Sequence, residues 1–368
     1  MKELMPFLKE MVSIAGLSGY ETPIRQLIEE SWRPLTDELH VSKVGSLHGL
    51  QKGEAATGSH STESGPRPSI LFATHMDAIG LMVTGVVDGF LRITEVGGLD
   101  PRVLLGQPVV VHGRENLLGV VVSPPASLLP NMDPDTPVSV EHLLVDTGLL
   151  PNQVSRLVHT GDLVSYAQEP LELGDDYLAG HTLDNRVSIA ALTYCLELLR
   201  KNRHAWDVWA VATVQEEETM AGAVTSTYAL RPKIAVAVDV TFAKGPGISD
   251  YRAFSLGKGI TLGWGPNIHP TLHKMVKELA DKLEIPCHLD PLPHRSGTDA
   301  YGMQIVAEGV PTVVIGIPLR YMHTPVEMVA IKDIQRAGRL MAEFAMQLEP
   351  EFVVELTGKC RQEVEGML

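Results

Sequence analysis

The sequence predicts an α/β fold: a doubly wound mixed sheet with helices on both faces, interrupted by an all-β, barrel-like insert domain. Two observations predict it. Before residue 77 and after residue 184, apolar runs of strand length alternate with helical patterns, the rhythm of a doubly wound sheet. Between them, Val-rich segments follow one another at short intervals with turn residues in the gaps, the rhythm of an antiparallel sandwich or barrel. The expected division is a catalytic α/β domain in 1–77 and 178–368 and a β-rich insert in 78–177.

The elements follow in order. Leu4, Met5, Leu8, Met11 and Val12 recur at helical spacing until Gly16-Leu17-Ser18-Gly19 breaks the pattern. Thr22-Pro23 opens a second helix, with Thr22 as its cap and Pro23 preset at the first helical position. Residues 53–68, rich in Gly and Ser and without a large apolar anchor, read as a flexible surface loop. Ser69–Thr74 is a short apolar run, read as a buried central strand that ends at His75-Met76-Asp77. Leu81–Val87, Leu91–Val96, Pro108–His112, Leu117–Ser123 and Leu163–Ala167 are the strands of the insert, and Asp88-Gly89 is a hairpin turn. Asn185–Asn202 is then helical by pattern, and Val208–Val214 and Ile234–Val240 are strands with a helix at Ala221–Leu230 between them. Pro270–Leu283 is an amphipathic helix, Pro311–Ile315 another buried strand, and Ile331–Leu348 the closing helix.

Composition narrows the function. With 44% hydrophobic and 20% charged residues the chain is ordinary for a soluble globular protein. Its formal net charge of −15 excludes the basic face that nucleic acid requires. Cys195, Cys287 and Cys360 are widely separated and odd in number, neither a disulfide framework nor a thiolate metal site. No signal peptide and no membrane-spanning run is visible, so the cytoplasm is the expected location.

Val211-Ala212-Thr213-Val214-Gln215-Glu216-Glu217-Glu218 is a strand run that ends in three adjacent carboxylates. Such charges repel one another unless something positive holds them. Ligands of open α/β sheets bind beyond the carboxyl ends of strands, and there the chain gathers more of the same chemistry. His75 and Asp77 follow the strand at 69–74, Asp239 ends the one at 234–238, His323 lies just past 311–317, and Asp184 opens a helix. Singly, each has an ordinary explanation as a structural histidine or a helix cap. Jointly, they form a ligand set of imidazoles and carboxylates without thiolate, suited to catalytic zinc, cobalt or manganese. Five ligands exceed what one catalytic zinc with an open position needs, and they suit two divalent ions sharing a carboxylate. Asp77 is read as the acceptor of the other His75 ring N–H. Glu216, next to a ligand but free of it, is read as the base.

These residues also carry a family resemblance. His75-Met76-Asp77, Leu183-Asp184-Asn185-Arg186, Thr213–Glu217, Asp239-Val240-Thr241, Gly297-Thr298-Asp299-Ala300 and Pro318–Glu327 occur in that order over nearly the whole chain. They resemble the TET-type dinuclear metallo-aminopeptidases, which include glutamyl and deblocking aminopeptidases. Gly97-Gly98 and Pro101–Gly106 resemble that family's insert. The resemblance implies two metals bridged by Asp184, with His75 and Asp239 completing one and Glu217 and His323 the other. It implies that Glu216 takes a proton from a bridging water and passes it to the leaving amine, and that the peptide bond after Asp184 is cis. It also implies peptide substrates and a homo-oligomer, dimers assembling to a dodecamer through the insert. Ala78, where the family often has Glu, and Glu218-Thr219, where Val-Gly is usual, are departures that touch substrate contacts and leave the ligands intact.

The function expected is therefore a metal-dependent exopeptidase that removes N-terminal amino acids. Two alternatives share its residues: a dinuclear deacylase of small N-acyl amino acids, and an inactive peptide-binding assembly protein. Around the site, Glu218 is either an acidic wall favouring basic residues or a solvated side chain. Asp299 is either a second acceptor or a helix cap, and His294-Arg295 either binds a substrate carboxylate or belongs to a charged loop.

Overall fold

A strand with no exposed residue needs neighbours on both edges and cover on both faces. Ser69–His75 (β3) is such a strand, all seven residues being buried. The structure, a computed structural model, describes residues 4–54, 67–125, 128, 138–248, 250–349 and 352. Most of the 53–68 segment and Cys360 lie outside the described residues. β3 pairs in parallel with Asp207–Thr213 (β12) on one edge and with Ile234–Phe242 (β13) on the other. β13 pairs in parallel with Thr312–Arg320 (β16). These four strands are the centre of an 11-stranded mixed sheet.

Antiparallel strands complete the sheet on both sides. Leu47–Gln51 (β2) pairs with β12 and with Glu38–Val41 (β1). The outer edge of β16 is shared by Ile260–Trp264 (β14), which carries Cys287–Pro291 (β15), and by Glu327–Ala330 (β17). Tyr177–Gly180 (β11) and Leu171–Leu173 (β10) follow β17 in the same sheet. Leu183–Leu199 (α4) packs on β3 and β13 and against Ile331–Met346 (α8), with Leu4–Val12 (α1) and Thr22–Trp32 (α2) beside it. Ala221–Leu230 (α5) and Asp299–Gln304 (α7) pack on each other, and Pro270–Lys282 (α6) lies against α8 and β14.

Between β3 and β11 the chain closes a second unit. Gly80–Val87 (β4), Phe90–Val96 (β5), Pro108–His112 (β6), Asn116–Val122 (β7), Leu144–Asp146 (β8) and Leu163–Tyr166 (β9) form a barrel in the order β4-β5-β8-β7-β6-β9. Leu81, Val83, Leu91, Ile93, Val109, Val111, Val121, Val145 and Val164 fill it. Asp88 and Gly89 both take positive φ, +52° and +89°, as a two-residue hairpin turn requires.

The structure corrects several readings of local pattern. β8 is only three residues long, too short to show alternation, and Pro151–Leu157 (α3) beside it was likewise not expected. Thr22 does not cap α2. Glu21 occupies the cap position without capping; its carboxylate accepts instead from the Gly19 N–H at 2.7 Å and the Gln215 N–H at 3.1 Å. Short strands such as β1, β10 and β17 escaped the sequence reading because their pairing partners, and not their own periodicity, make them strands.

Candidate metal centre

The order β12-β3-β13-β16 brings four carboxyl-terminal strand ends to one edge of the sheet. His75 is the last residue of β3. Val214 to Glu217 follow β12, Asp239 lies within β13, and His323 stands three residues past β16. Asp184 enters from the first turn of α4, where it and Asn185 have non-helical backbone angles and the peptide between them is cis. The loops around the site are held in uncommon conformations: Thr182, Gln215, Tyr321 and His323 all have positive φ between 57° and 62°. Each such non-glycine residue costs on the order of 1–3 kcal/mol, which surrounding contacts must offset.

Asp184 sits between two groups of side chains. Its Oδ1 is 3.2 Å from His75 Nε2, which is itself 3.6 Å from Asp239 Oδ1. Its Oδ2 is 3.4 Å from His323 Nε2, which is 3.5 Å from Glu217 Oε2. Ligand atoms on a four-coordinate zinc at roughly 2.1 Å stand about 3.4 Å apart, so both groups have the spacing one ion requires. His75, Asp184 and Glu217 together could hold a cation, their ligand atoms lying within 4.8 Å of one another. Glu216 Oε2 is 3.9 Å from His75 Nε2 and lines the same cavity.

Burial sets the charge states, modified by neighbours. Burial lowers the pKa of His75, but the carboxylates of Asp184, Asp239 and Asp77 outweigh it and raise the value well above the ordinary one. Burial disfavours ionised Asp184, yet the His323 and His75 imidazoles hold its pKa at about 2. Glu216 moves the other way. Burial, aided by repulsion from Asp239, Asp299 and Asp184 and opposed by His75, pushes its pKa up to about 9. Glu217 is raised well above the ordinary value by burial and by Asp184. Asp299, fully buried, is pushed up to about 7. Among the described residues no Lys or Arg ion-pairs with Asp184, Glu216, Glu217 or Asp239. Buried Asp184 Oδ1 also has no hydrogen-bond partner there. Uncompensated buried carboxylates with an orphaned oxygen fit a divalent cation, whose charge would reverse this repulsion.

Other side chains hold these groups in place. Asp77 is completely buried, and its two carboxylate oxygens accept from the Glu216 N–H at 3.0 Å and the Glu217 N–H at 3.2 Å. The closest acceptor to His75 Nδ1 is the main-chain oxygen of Asp77 at 3.2 Å, with the carboxylate at 3.6 Å. Asp77 therefore aims the Glu216-Glu217 loop as much as the imidazole. Glu327, which sequence reasoning noted only within a motif, links two of these residues: its oxygens accept from the His323 N–H at 2.8 Å and the Asp184 N–H at 3.0 Å. The signal available in the sequence was a Glu four residues after His323; its burial at the head of β17 is seen only in the structure. Asp299 is the acceptor of the Thr213 hydroxyl at 2.5 Å, while Thr298 caps α7. Glu218 is exposed and does not line the cavity; it accepts from the Gly97 N–H of the barrel at 2.7 Å.

The cavity beside these residues measures about 490 Å³ and runs from His75, Asp184 and His323 to Asp290, Leu292 and Thr298. His294 and Arg295 also border it. Its size suits one amino-acid side chain and adjoining backbone better than a folded polymer.

Known proteins share this fold and sequence over nearly the whole chain. The lysyl aminopeptidase of Pyrococcus furiosus is 33% identical over 349 residues, 93% of this chain and 97% of the relative. An aminopeptidase from the archaeon Desulfurococcus kamchatkensis superposes with a TM-score of 0.88 at 31% identity, covering 98% of this chain and 99% of that one. The TET1 peptidase of Pyrococcus horikoshii, which can assemble into a tetrahedron or a large octahedral shell, superposes with a TM-score of 0.81 at 27% identity, covering 94% and 100%. A family model described as M42 glutamyl aminopeptidase matches residues 57–340. With fold, ligand-type residues and similarity over nearly its whole length in accord, this chain belongs to the M42 glutamyl aminopeptidase family, metallopeptidases that remove N-terminal residues.

Proposed function

We propose that His75, Asp184, Glu217, Asp239 and His323 hold two divalent metal ions, and that Glu216 is the general base of peptide hydrolysis. The observation that carries this reading is the placement of Asp184, whose two oxygens face different His–carboxylate pairs. Bound there, the two ions supply Lewis acidity, making water acidic enough to attack at neutral pH and polarising the substrate carbonyl. Glu216 takes the proton of the attacking water on its carboxylate and passes it to the nitrogen of the leaving amine as the C–N bond breaks. The Asp77 carboxylate positions Glu216 and Glu217 through their main-chain N–H groups. The donor set of imidazole and carboxylate admits zinc most readily, and cobalt or manganese as well.

The substrates on this reading are peptides with a free N-terminus, and deacylation of N-acyl amino acids is the contrasting activity. Residues 1–77 and 178–368 form the catalytic domain, and 78–177 the insert through which copies of the chain assemble. Related TET1 chains form a dodecamer or a tetrahedral or octahedral shell, which supports a homo-oligomer here. Among the described residues no helix is long and apolar enough to cross a membrane.

The test is Glu216→Gln, measured on aminoacyl chromogenic amides with metal content determined in parallel. The variant is expected to retain its metal and lose turnover by about 10²–10⁴-fold, the usual contribution of a general base. Unchanged turnover at full metal occupancy would remove Glu216 from that role.

A further inference from the structure

A second carboxylate, away from the ligands, faces the same cavity. Asp290 lies near the end of β15, is only 7% exposed, and lines the cavity wall. Its Oδ2 accepts from the Thr241 hydroxyl at 2.9 Å and more weakly from the Thr261 hydroxyl at 3.5 Å. Among the described residues nothing donates to its Oδ1. Thr241 is two residues beyond Asp239 on β13, so it presents its side chain on the same face about 7 Å further along the strand. The carboxylate is thus held at a point further along β13 than Asp239.

Part of the cavity wall is apolar. Val314, Leu292 and Pro291 line the cavity together with Gly316. Gly316 lets Thr261 and Thr241 lie close against its backbone, since a Cβ there would come within 2.2 Å of Thr261 Oγ1 and 3.2 Å of Thr241 Cγ2. The cationic side chains bordering the cavity are exposed or otherwise engaged. Arg252 is hydrogen-bonded to both oxygens of Asp250 at 2.9 Å, and Arg295 lies over the Tyr301 ring at 5.0 Å. His294 is exposed on the rim. A cavity wall with an apolar stretch and a carboxylate with one unengaged oxygen matches a methylene stem tipped by a positive charge.

We propose that Asp290 determines specificity for substrates whose N-terminal residue carries a cationic side chain, lysine or arginine. This rests on the aminopeptidase reading above and names its substrate class. Burial raises the pKa of the Asp290 carboxyl against the pull of the two hydroxyls. A bound ammonium group relieves that penalty, and an aliphatic or acidic side chain does not. Glu218, the acidic residue adjacent in sequence to the ligands, has no part in this selection because it hydrogen-bonds to the barrel.

The experiment compares kcat/KM for lysine, norleucine and glutamate p-nitroanilides in the metal-loaded wild-type protein and in Asp290→Asn. Norleucine keeps the stem and lacks the charge. The wild type is expected to favour lysine over norleucine by at least about tenfold, and the variant to lose that preference, as when a pocket group loses its charged partner. Norleucine hydrolysis should fall by less than lysine hydrolysis does, so that the ratio of the two moves toward one. Equal losses on lysine and norleucine would assign Asp290 a structural role and overturn the proposal, as would a wild type that prefers glutamate. If no amide is cleaved, the aminopeptidase reading fails by itself. Calorimetric binding of free lysine and norleucine then still decides the role of Asp290: tighter lysine binding that Asp290→Asn abolishes supports it, and equal binding overturns it.

Discussion

The β-barrel and the carboxyl edge of the central sheet solve opposite physical problems. The barrel interior is made of Leu, Val and Ile, with Tyr166 the one titratable core member among the described residues. The sheet edge buries Asp77, Asp184, Asp239, Asp299 and Glu327 and half-buries Glu216 and Glu217. In the first region each buried side chain stabilises the fold by leaving water. In the second, each buried carboxylate costs stability until a cation compensates it. Substitutions in the barrel core should therefore act on stability with little effect on chemistry. Substitutions at the edge should act on chemistry and on the response to metal.

Removal of metal is the largest expected perturbation. Chelation should abolish amide hydrolysis and also change how stability depends on pH. Without cations, burial and neighbouring carboxylates push the pKa of Glu216 from 4.5 to about 9, and those of Glu217 and Glu327 upward as well. The folded state then holds protons that the unfolded chain releases. The stability linked to these groups is full below about pH 4.5 and lost as pH rises through about 9. The Tm of the chelated protein should fall between pH 6 and 9 in calorimetry, and the metal-loaded protein should not follow it. Parallel curves with and without metal would show that the edge is not compensated by cations.

Asp77→Asn should come next. An amide offers one acceptor oxygen where the carboxylate offers two, so either the Glu216 or the Glu217 N–H loses its partner. Groups that orient metal ligands typically account for about 10–100-fold in metal affinity or activity, and metal titration followed by kinetic assay measures both. Leu91→Ala should have the smallest effect on turnover. Leu91 is fully buried in the barrel, and truncation should cost about 2–5 kcal/mol of stability, read as a lower denaturation midpoint. Its kcat per folded molecule should remain that of the parent. A matching loss of kcat would mean that the barrel shapes the active site directly, in contrast to the separation drawn above.

Much of the fold was legible because its long elements carry their own periodicity. The helix at Ala221–Leu230 was bounded correctly, and the Ser69–Thr74 run was read as buried and central, which two parallel neighbours make it. The ligand-type residues were legible because charged and imidazole groups directly after apolar strands are costly to place there by chance. Glu218 could not be sorted from Glu216 and Glu217 by sequence, since three identical neighbours differ only in which direction the loop turns them. Positive φ at Gln215 and the Asp77 contacts set that direction.

The sequence by itself determined the alternation of strand and helix, the β insert, the acidic character and the identity of the groups able to bind metal. These are local properties, encoded in side-chain type and spacing. Packing in three dimensions sets Asp184 between two His–carboxylate pairs, lets Glu327 join the backbones of His323 and Asp184, and puts Asp290 in the cavity wall. Those facts depend on the spatial order β12-β3-β13-β16 and on β14 and β15 docking at its edge. Strand order joins residues more than a hundred positions apart, and no periodicity along the chain records it.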